Sequence, residues 1–427
     1  MKVSSSVNLA KSSTDLVGSF QGTSVIDGLY ELPRDISIVD MKDTSSPFNT
    51  PEAYFTPYGI TNPYWALENN YNHLDSKQVY GKIQVDIKPI NDLTLTYRFG
   101  FDYTDYDLKM GTPEIKLDDA FIDNDFGYAP SEMNQAGSVF ARYQRSYELN
   151  HDFLASYNKS FSKFSLTANV GMNMNERYST FMNGESKGLT VNSGFWDLGN
   201  GASWSSLRES QMKRRLVGLF GDVTVGFDEM LFLNLTARND WSSTLPSSNR
   251  SFFYPSVSAG FILTELDELK NDIINYAKLR VSYAEVGQAG DFLENYYSTP
   301  TYGGGFYSLN PIMYPIKGTT AYTPYYTIFD PNLKPQNTRS YEIGADVNFF
   351  DNLITLNYTY SRQNVKDQIF SVPLASSTGA SKLLTNGGKI HTDTHEITLG
   401  FNPIRTKNIN WDFAFNWTKI DNYVDEL

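Results

Sequence analysis

Side-chain character alternates with a period of two along much of this chain, and the alternation restricts the folds open to it. Between Leu93 and Thr104, Leu, Tyr and Phe occupy the odd positions, while Thr, Arg, Gly and Asp occupy the even positions. Successive side chains of a β-strand point to opposite faces of a sheet, so this segment has one apolar and one polar face. The pattern predicts an all-β, antiparallel protein.

The same pattern recurs at intervals along the chain. It predicts about thirteen strands, near residues 2–10, 77–88, 92–104, 143–160, 163–178, 207–227, 229–242, 252–265, 276–287, 338–350, 352–366, 388–403 and 410–424. Many of these segments exceed the usual length of about 5–6 residues. A tilted strand crosses the hydrocarbon of a bilayer in about 9–11 residues, which these segments provide. The sequence contains no run of about 18 apolar residues, so no transmembrane helix is expected.

The predicted connections alternate between long and short. The long or medium connections are 11–76, 105–142, 179–206, 243–251, 288–337 and 367–387. The short or modest ones are 89–91, 161–162, Asp228, 266–275, Asp351 and 404–409. Outer-membrane barrels have short periplasmic turns and long extracellular loops, whereas a soluble sandwich has no reason to sort its loops by side. The order therefore favours an up-and-down transmembrane β-barrel.

Aromatic residues make up 15% of the chain and charged residues only 19%, a balance that suits an apolar outer surface around a polar interior. Aromatic side chains lie beside the predicted tight turns, where they predict a periplasmic girdle: Phe161, Phe227, Phe349, Phe350 and Trp411. An outer girdle is predicted from Trp241, Phe252, Phe253 and Tyr254. The alternative is that aromatic residues merely suit strands.

Several classes of function are disfavoured by composition and motif. The chain has no Cys, which excludes disulfides, thiolate metal sites and thiol nucleophiles. Its net charge of −13 argues against nucleic acid as a partner. No GxSxG elbow or paired-carboxylate pattern stands out, and Gly303-Gly304-Gly305 lacks the strand-to-helix context of a phosphate loop. Neither an enzymatic activity nor a cofactor is predicted.

Two groups of potential metal ligands leave alternatives open. His391, Asp393 and His395 share one face of a predicted strand, where they either bind a metal or are solvated. An acidic segment lacks the spacing of an EF-hand and either binds calcium loosely or is solvated; it comprises Asp118, Asp119, Asp123 and Asp125. The solvated interpretation is favoured for both groups, and no metal site is predicted.

The long predicted loops are rich in aromatic residues: Trp196, Trp204, Tyr302, Phe306, Tyr307, Tyr314, Tyr322, Tyr325 and Tyr326. Exposed aromatics on extracellular loops offer rigid surfaces to sugar rings or peptide side chains. Alternatively, these residues pack the loops against one another and close the mouth of the barrel. The candidate substrate contacts are Trp196, Trp204, Tyr302, Phe306 and Tyr307.

Blocks of recognisable sequence follow one another along the chain. They are NPYW at 62–65, PINDLTLTYRFGFDY at 89–103, RNDWSSTLP at 238–246, FFYPSVSAGFILTE at 252–265, AKLRVSYAEVG at 277–287, LKPQNTRSYEIG at 333–344 and KDQIFSVPLASSTG at 366–379. Together they resemble the SusC/RagA-type family of TonB-linked outer-membrane transporters, with Arg238, Asn239, Asp240 and Trp241 as the family-signature loop. Gln336 and the triplet Thr392-Asp393-Thr394 depart from the residues usual in that family.

The resemblance implies a barrel of 22 strands with an N-terminal plug, in the outer membrane of a Gram-negative, Bacteroidetes-like bacterium. It implies import of oligosaccharide or peptide fragments together with a SusD-like surface lipoprotein. No signal peptide, TonB box, plug or terminal barrel strands are recognisable, so residues 1–427 are expected to be a partial barrel domain. Its partners would then be outer-membrane lipid, the lipoprotein and, through the missing N-terminal part, TonB. The alternatives are a passive outer-membrane porin and a soluble secreted glycan-binding β-sandwich.

Overall fold

The structure, a computed structural model, consists mainly of long β-strands. It describes residues 1–18, 24–50 apart from 31, 33, 35 and 48, 62–116, 135–290 apart from 193, 267 and 270, 299–300, 317–318, 322–323 and 327–426. The first nine strands are β1 (Lys2–Asp15), β2 (Tyr71–Ile90), β3 (Leu93–Ile115), β4 (Gln135–Phe161), β5 (Phe164–Leu189), β6 (Gly201–Phe227), β7 (Leu231–Ser242), β8 (Ser251–Ile262) and β9 (Ile274–Gln288). Three short strands follow, β10 (Thr299–Pro300), β11 (Tyr322–Thr323) and β12 (Thr327–Phe329). The last four are β13 (Gln336–Phe349), β14 (Ile354–Pro373), β15 (Lys382–Arg405) and β16 (Asn410–Glu426).

The long strands form one sheet in which each pairs with the next long strand along the chain. The hydrogen-bonded order runs from β1 to β9 and continues through β13, β14, β15 and β16, with every one of these pairs antiparallel. β12 adds a short parallel pairing to β15, and β10 pairs with β11 apart from the main sheet. The sheet is therefore an up-and-down wall, as the alternation predicts.

All thirteen predicted strands are present, but several extend well beyond their predicted bounds. β3 ends at Ile115 rather than near 104, and β5 ends at Leu189 rather than near 178. β4 begins at Gln135 rather than near 143, and β6 at Gly201 rather than near 207. The extensions lie at the ends that carry the long connections. Both faces of the sheet meet water there, so alternation fades although the backbone ladder continues.

The connections sort by side. At one end of the sheet, here the turn end, the strands are joined by residues 91–92, 162–163, 228–230, 263–273, 350–353 and 406–409. At the other, here the loop end, they are joined by residues 16–70, 116–134, 190–200, 243–250, 289–335 and 374–381. The predicted asymmetry is confirmed, with one exception at the turn end, since residues 263–273 form a longer connection than 243–250 or 374–381 at the loop end. The strand extensions shorten the predicted loops 11–76, 105–142, 179–206 and 367–387.

Left-handed backbone conformations allow the tightest reversals at the turn end. The φ angles of Asp228 and Glu229 are 51° and 55°, and those of Asp351 and Asn352 are 57° and 62°. Asp and Asn tolerate this region better than most residues because their short polar side chains bond to the local backbone. These residues therefore permit chain reversal within a few positions.

Helical structure in the described residues is limited to short segments at the loop end and around one turn-end connection. They are α1 (Val25–Tyr30), α2 (Pro63–Asn69) and 3₁₀ turns at Asp40–Lys42, Leu198–Asn200, Leu263–Glu265 and Ser376–Thr378. Asn62 caps α2 by accepting from the Tyr64 amide at 2.9 Å. Its side-chain amide donates to the carbonyls of Met41 and Asn49, both at 2.8 Å, so it joins three parts of the β1–β2 connection. In the part of the chain described, no helix has the length and hydropathy needed to cross a bilayer.

Candidate functional site

The alternation gives the sheet two chemically different faces, and the candidate site is the polar one. The inward face is defined here as the face of the even-numbered positions of β3, and the outward face as that of the odd-numbered positions. On the inward face, the Asp222 carboxylate accepts hydrogen bonds from Asn169 at 3.2 Å, Asn234 at 2.6 Å and Thr236 at 3.0 Å. These donors come from β5 and β7, the two strands that flank Asp222 on β6, and they hold the carboxylate in a fixed position.

A charged cluster lies near the loop end of β7 and β8 on the inward face. The Arg238 guanidinium contacts Asp240 at 2.8 Å and donates to the Tyr254 hydroxyl at 3.0 Å. The Tyr254 hydroxyl in turn donates to Asp240, whose residue exposure is only 4%. The Phe220 ring centroid lies 5.6 Å from the guanidinium carbon. The Arg238 guanidinium therefore compensates the charge of Asp240, and it is itself held in place by Asp240, Tyr254 and Phe220.

The family-signature residues divide between the two faces. Arg238 and Asp240 form the inward cluster, whereas Trp241 is 39% exposed on the outward face. Asn239 also faces outward, where its amide donates to Ser251 at 3.0 Å. The structure thus places these four residues within β7 rather than in the loop that follows it. Their role as a family signature stays a prediction.

A second charged cluster joins β9, β13 and β14 on the inward face. The Arg280 guanidinium contacts Asp346 at 3.2 Å and donates to the Thr359 hydroxyl at 2.9 Å. Asn357 also donates to Asp346. Asp346 lies 66 positions from Arg280 in sequence, yet the pairing of β9 with β13 places the two residues on neighbouring strands. Like the Asp222 cluster, this one spans three strands.

An inward cleft of about 450 Å³ lies in the loop-end half of the sheet and is lined by amide and charged side chains. Arg177 contacts Glu148 at 3.0 Å, and Asn175 donates to the same carboxylate at 2.6 Å. Asn173 and Asn150 line the cleft beside them. Amides both donate and accept hydrogen bonds, so the cleft can bind neutral polar solutes as well as charged ones. Sequence reasoning did not identify this cleft; the signal was the Asn at alternate positions 173 and 175.

The outward face carries a belt of exposed apolar side chains, which we call the apolar belt. Its members include Ile83, Leu95, Phe153, Val170, Leu219, Leu233, Val257, Val281, Ile343, Leu399 and Phe415, each at least 37% exposed. On β3 the belt runs from Leu93 to Tyr103, roughly 33 Å along the strand at about 3.3 Å per residue. At a tilt of about 40° this corresponds to a height of roughly 25 Å, that of the lipid-facing band of an outer-membrane barrel.

Aromatic residues border the belt at the turn end, as predicted. The Phe164 ring lies 6.1 Å from that of Phe161 and 4.9 Å from that of Phe227. Phe349 lies beside Phe350, and Trp411 is 57% exposed on β16. The gathering of these rings at strand ends agrees with the predicted periplasmic girdle.

The predicted outer girdle is only half right. Trp241 and Phe253 face outward and are exposed. Phe252 and Tyr254 face inward instead, since Phe252 lines the cleft and Tyr254 bonds to Arg238 and Asp240. Four aromatics close together in sequence cannot all face lipid when consecutive strand residues alternate.

The candidate substrate contacts fall in different places. The Trp196 ring stacks on Tyr71 with centroids 6.2 Å apart and lies against Gly111, so it packs on the outward surface of β2 and β3. Trp204 lies within β6, not in a loop, and is 63% exposed on the outward face beside Leu207. Their predicted loop ended at 206, and this boundary was wrong because β6 begins at 201. Outside the described residues lie Tyr302, Phe306, Tyr307, Tyr314, Tyr325 and Tyr326; of Tyr322, only the backbone is described.

Of the two groups of potential metal ligands, the structure describes the histidine group but not the acidic segment. His391 contacts Asp425 at 2.8 Å, while His395 lies 3.0 Å from the Tyr358 hydroxyl, and both face outward. Asp393 accepts from Tyr360 at 2.8 Å. Among the residues that the structure describes, no three His, Asp or Glu side chains converge to hold a metal ion. Asp118, Asp119, Asp123 and Asp125 lie outside those residues.

A comparison with known families identifies the wall. The family model described as TonB dependent receptor-like, beta-barrel, matches residues 20–426. The chain belongs to this family. The resemblance to SusC/RagA-type proteins is confirmed, the sheet is barrel wall of the TonB-dependent receptor fold, and its location is the outer membrane. The inward face accordingly lines the lumen, and the apolar belt faces lipid. The family is one of receptors and transporters rather than an enzyme class.

Individual relatives show how much of such a receptor the chain represents. It is 21% identical over 426 residues to TonB-dependent receptor P3 of Formosa agariphila, covering 96% of this chain and 38% of that protein. It is 25% identical over 396 residues to TonB-dependent receptor SusC of Bacteroides thetaiotaomicron, covering 90% of this chain and 37% of that protein. The chain therefore spans less than two fifths of the length of these relatives.

Solved TonB-dependent receptors share the fold. The RagAB peptide importer in its closed-closed state aligns with a TM-score of 0.78 at 19% identity, covering 100% of this chain and 45% of that chain. The open-open state of the same importer aligns equally well, with a TM-score of 0.78 at 20% identity. At this identity the likeness establishes the fold of the wall.

Proposed function

We propose that this chain is part of the barrel domain of a TonB-dependent transporter that imports polar nutrient fragments, either oligosaccharides or peptides. The observation that carries the proposal is the contrast between the two faces of the wall. Carboxylates, amides and guanidinium groups are linked by hydrogen bonds across the inward face, as around Asp222 and Arg280. The outward face is exposed and apolar at the same height. Such a wall separates an aqueous path from lipid.

The ligand class is supported by the chemistry of the cleft. Asn173, Asn175, Arg177 and Glu148 present donors and acceptors to a space of about 450 Å³. Hydroxyl groups of a sugar and backbone amides of a peptide both match these groups, because both carry donors and acceptors. The structurally similar RagAB is a peptide importer, which favours peptides. In this proposal Tyr302, Phe306 and Tyr307, on the connection 289–335 at the loop end, add aromatic contacts to ligand.

The proposed partners follow from the two ends of the wall, the loop end outside the cell and the turn end in the periplasm. A SusD-like surface lipoprotein binds over the loop end, which carries the two longest connections, 16–70 and 289–335. TonB acts from the periplasmic side through a plug supplied by the rest of the transporter. A passive porin has the same wall but needs neither TonB nor a lipoprotein.

Uptake by cells tests this function. A strain lacking the gene is complemented with the full-length protein or its variants, and depletion of a defined mixture of peptides and oligosaccharides from the medium is measured by mass spectrometry. Deletion should abolish uptake of one ligand class, and so should loss of TonB. Uptake that persists without TonB would support the porin instead, and unchanged uptake after deletion would refute the transporter.

A matched pair of variants connects uptake to the cleft. Asn173→Leu with Asn175→Leu changes the inward face of β5, whereas Met172→Leu with Met174→Leu changes the outward face of the same segment. The inward pair should reduce uptake several-fold at equal amounts of protein in the membrane, and the outward pair should leave it unchanged. Equal uptake by both double variants would show that the cleft does not contact ligand.

A further inference from the structure

The upper boundary of the apolar belt is sharp on the outward face. Toward the loop end, side chains change from apolar or aromatic to charged within two residues on most strands. The pairs are Val79 and Lys77, Tyr103 and Asp105, Met174 and Glu176, Val217 and Arg215, Tyr283 and Glu285, Tyr360 and Arg362, and Trp417 and Lys419. Since the belt faces hydrocarbon, this line of charges lies at the level of the outer-leaflet headgroups.

A repeated arrangement occupies this boundary. A tyrosine hydroxyl donates to a carboxylate just above the belt, and the carboxylate is paired with a base. Three clusters contain one carboxylate and one base each: Tyr103, Asp105 and Arg145; Tyr283, Glu285 and Arg339; and Tyr360, Asp393 and Arg362. Each of these three clusters is electrically neutral.

The fourth cluster, on β4, β5 and β6, carries a surplus cation. The Glu176 carboxylate accepts from the Tyr147 hydroxyl at 3.1 Å and is paired with both Lys213 at 2.8 Å and Arg215 at 2.6 Å. Glu176 is the least exposed of the three charged side chains at 23%, whereas Lys213 is 42% and Arg215 63% exposed. The carboxylate thus orients two accessible cations while neutralising one positive charge.

Apolar side chains lie below this cluster on the same face, toward the turn end. Met174 and Leu219 belong to the belt on β5 and β6 and are 39% and 50% exposed. A ligand with an anionic head and an acyl tail therefore meets cations and apolar surface in the order that a lipid presents them. Arg and Lys are the side chains that bind phosphate, Arg through its planar fork and Lys as a point charge.

We propose that Lys213 and Arg215, oriented by Glu176, bind the phosphate of an anionic lipid headgroup in the outer leaflet. The site rests on the membrane placement of the wall and not on transport, so its failure and that of the proposed function are distinguishable. The neutral clusters at the same boundary do not have this function, because each base there is matched by a carboxylate.

Native mass spectrometry of the full-length protein in detergent tests the site. The probes are phosphorylated lipid A, the same lipid with its phosphates removed, and inorganic phosphate as a competitor. The protein should retain phosphorylated lipid A more strongly than the dephosphorylated form. Lys213→Gln with Arg215→Gln should weaken that binding by at least about fivefold, since one basic residue near an anionic surface contributes about fivefold. Equal binding of the two lipids, or displacement by millimolar inorganic phosphate, would overturn the proposal.

Two further variants separate binding from structure. Lys419→Gln removes a cation from the same boundary that is paired one to one with Asp421 at 2.7 Å, and it should leave lipid binding within about twofold. Glu176→Gln keeps a side-chain oxygen that accepts hydrogen bonds from Lys213 and Arg215 but removes the neutralising charge, so it should strengthen binding. A purely structural role of the cluster predicts the opposite, weaker binding in Glu176→Gln. That result, or an equal loss in Lys419→Gln, would also overturn the proposal.

Discussion

Introducing arginine at two adjacent positions of β9 tests the assignment of faces. Val281 is 49% exposed on the outward face, where its neighbours along β9 are Leu279 and Tyr283, and it lies opposite Ile343. Ser282, one residue later, faces inward opposite Glu342, to which its hydroxyl donates at 3.4 Å. The two substitutions therefore differ in face but hardly in depth.

The expected free energies follow from these surroundings. An arginine facing lipid costs about 2–4 kcal/mol at the bilayer midplane and less toward the interfaces, so Val281→Arg should cost about 2 kcal/mol. That cost lowers the folding equilibrium constant by roughly 30-fold. Ser282→Arg gains a carboxylate neighbour in Glu342 and should change stability by less than about 1 kcal/mol.

The assay is denaturant unfolding of the full-length protein in lipid vesicles, followed by tryptophan fluorescence. The free energies of unfolding are compared at an unchanged dependence on denaturant. If Ser282→Arg destabilises the protein as much as Val281→Arg, the assignment of inward and outward faces is refuted.

Two further predictions concern the Arg238 cluster. Gly218→Ala should lower the free energy of unfolding by about 1–3 kcal/mol, because its added Cβ would overlap Arg238 and Asp240. The control Gly221→Ala should cost less than about 1 kcal/mol, because the nearest neighbour of its added Cβ is 3.8 Å away. Equal costs would contradict the packing described. Asp240→Ala should lower the free energy of unfolding by about 3 kcal/mol, because it leaves the partly buried Arg238 guanidinium without its carboxylate partner. The double variant with Arg238→Ala should cost less than the sum of the two single variants, and strict additivity would show that the pair is not coupled.

The sequence predicts the wall well because lipid contact imposes a period of two. All thirteen long strands, their antiparallel order and the sorting of loops by side follow from that pattern and from turn residues such as Asp228 and Asp351. The pattern does not predict where strands end in water, where neither face must be apolar. Trp204 was therefore assigned to a loop although it lies in β6.

The candidate site was less predictable because it depends on register between strands. Arg280 and Asp346 are 66 positions apart, and the cleft around Glu148 combines residues from six strands and the segment after β9. Alternation shows that these side chains are polar and face inward, but it does not show which of them meet. The aromatic contacts proposed for Tyr302, Phe306 and Tyr307 stay predictions.

Cysteine scanning of β3 tests the central claim most directly. The 427 residues contain no Cys, so each introduced thiol between Leu93 and Thr104 is a new probe within this chain. Spin labels attached there in the full-length protein in lipid vesicles are probed by collision with oxygen, which concentrates in lipid, and with a water-soluble nickel complex. Odd positions should be accessible to oxygen and even positions to nickel, with a strict period of two. A uniform profile, or oxygen access at the even positions, would contradict a wall with lipid on one face and an aqueous lumen on the other.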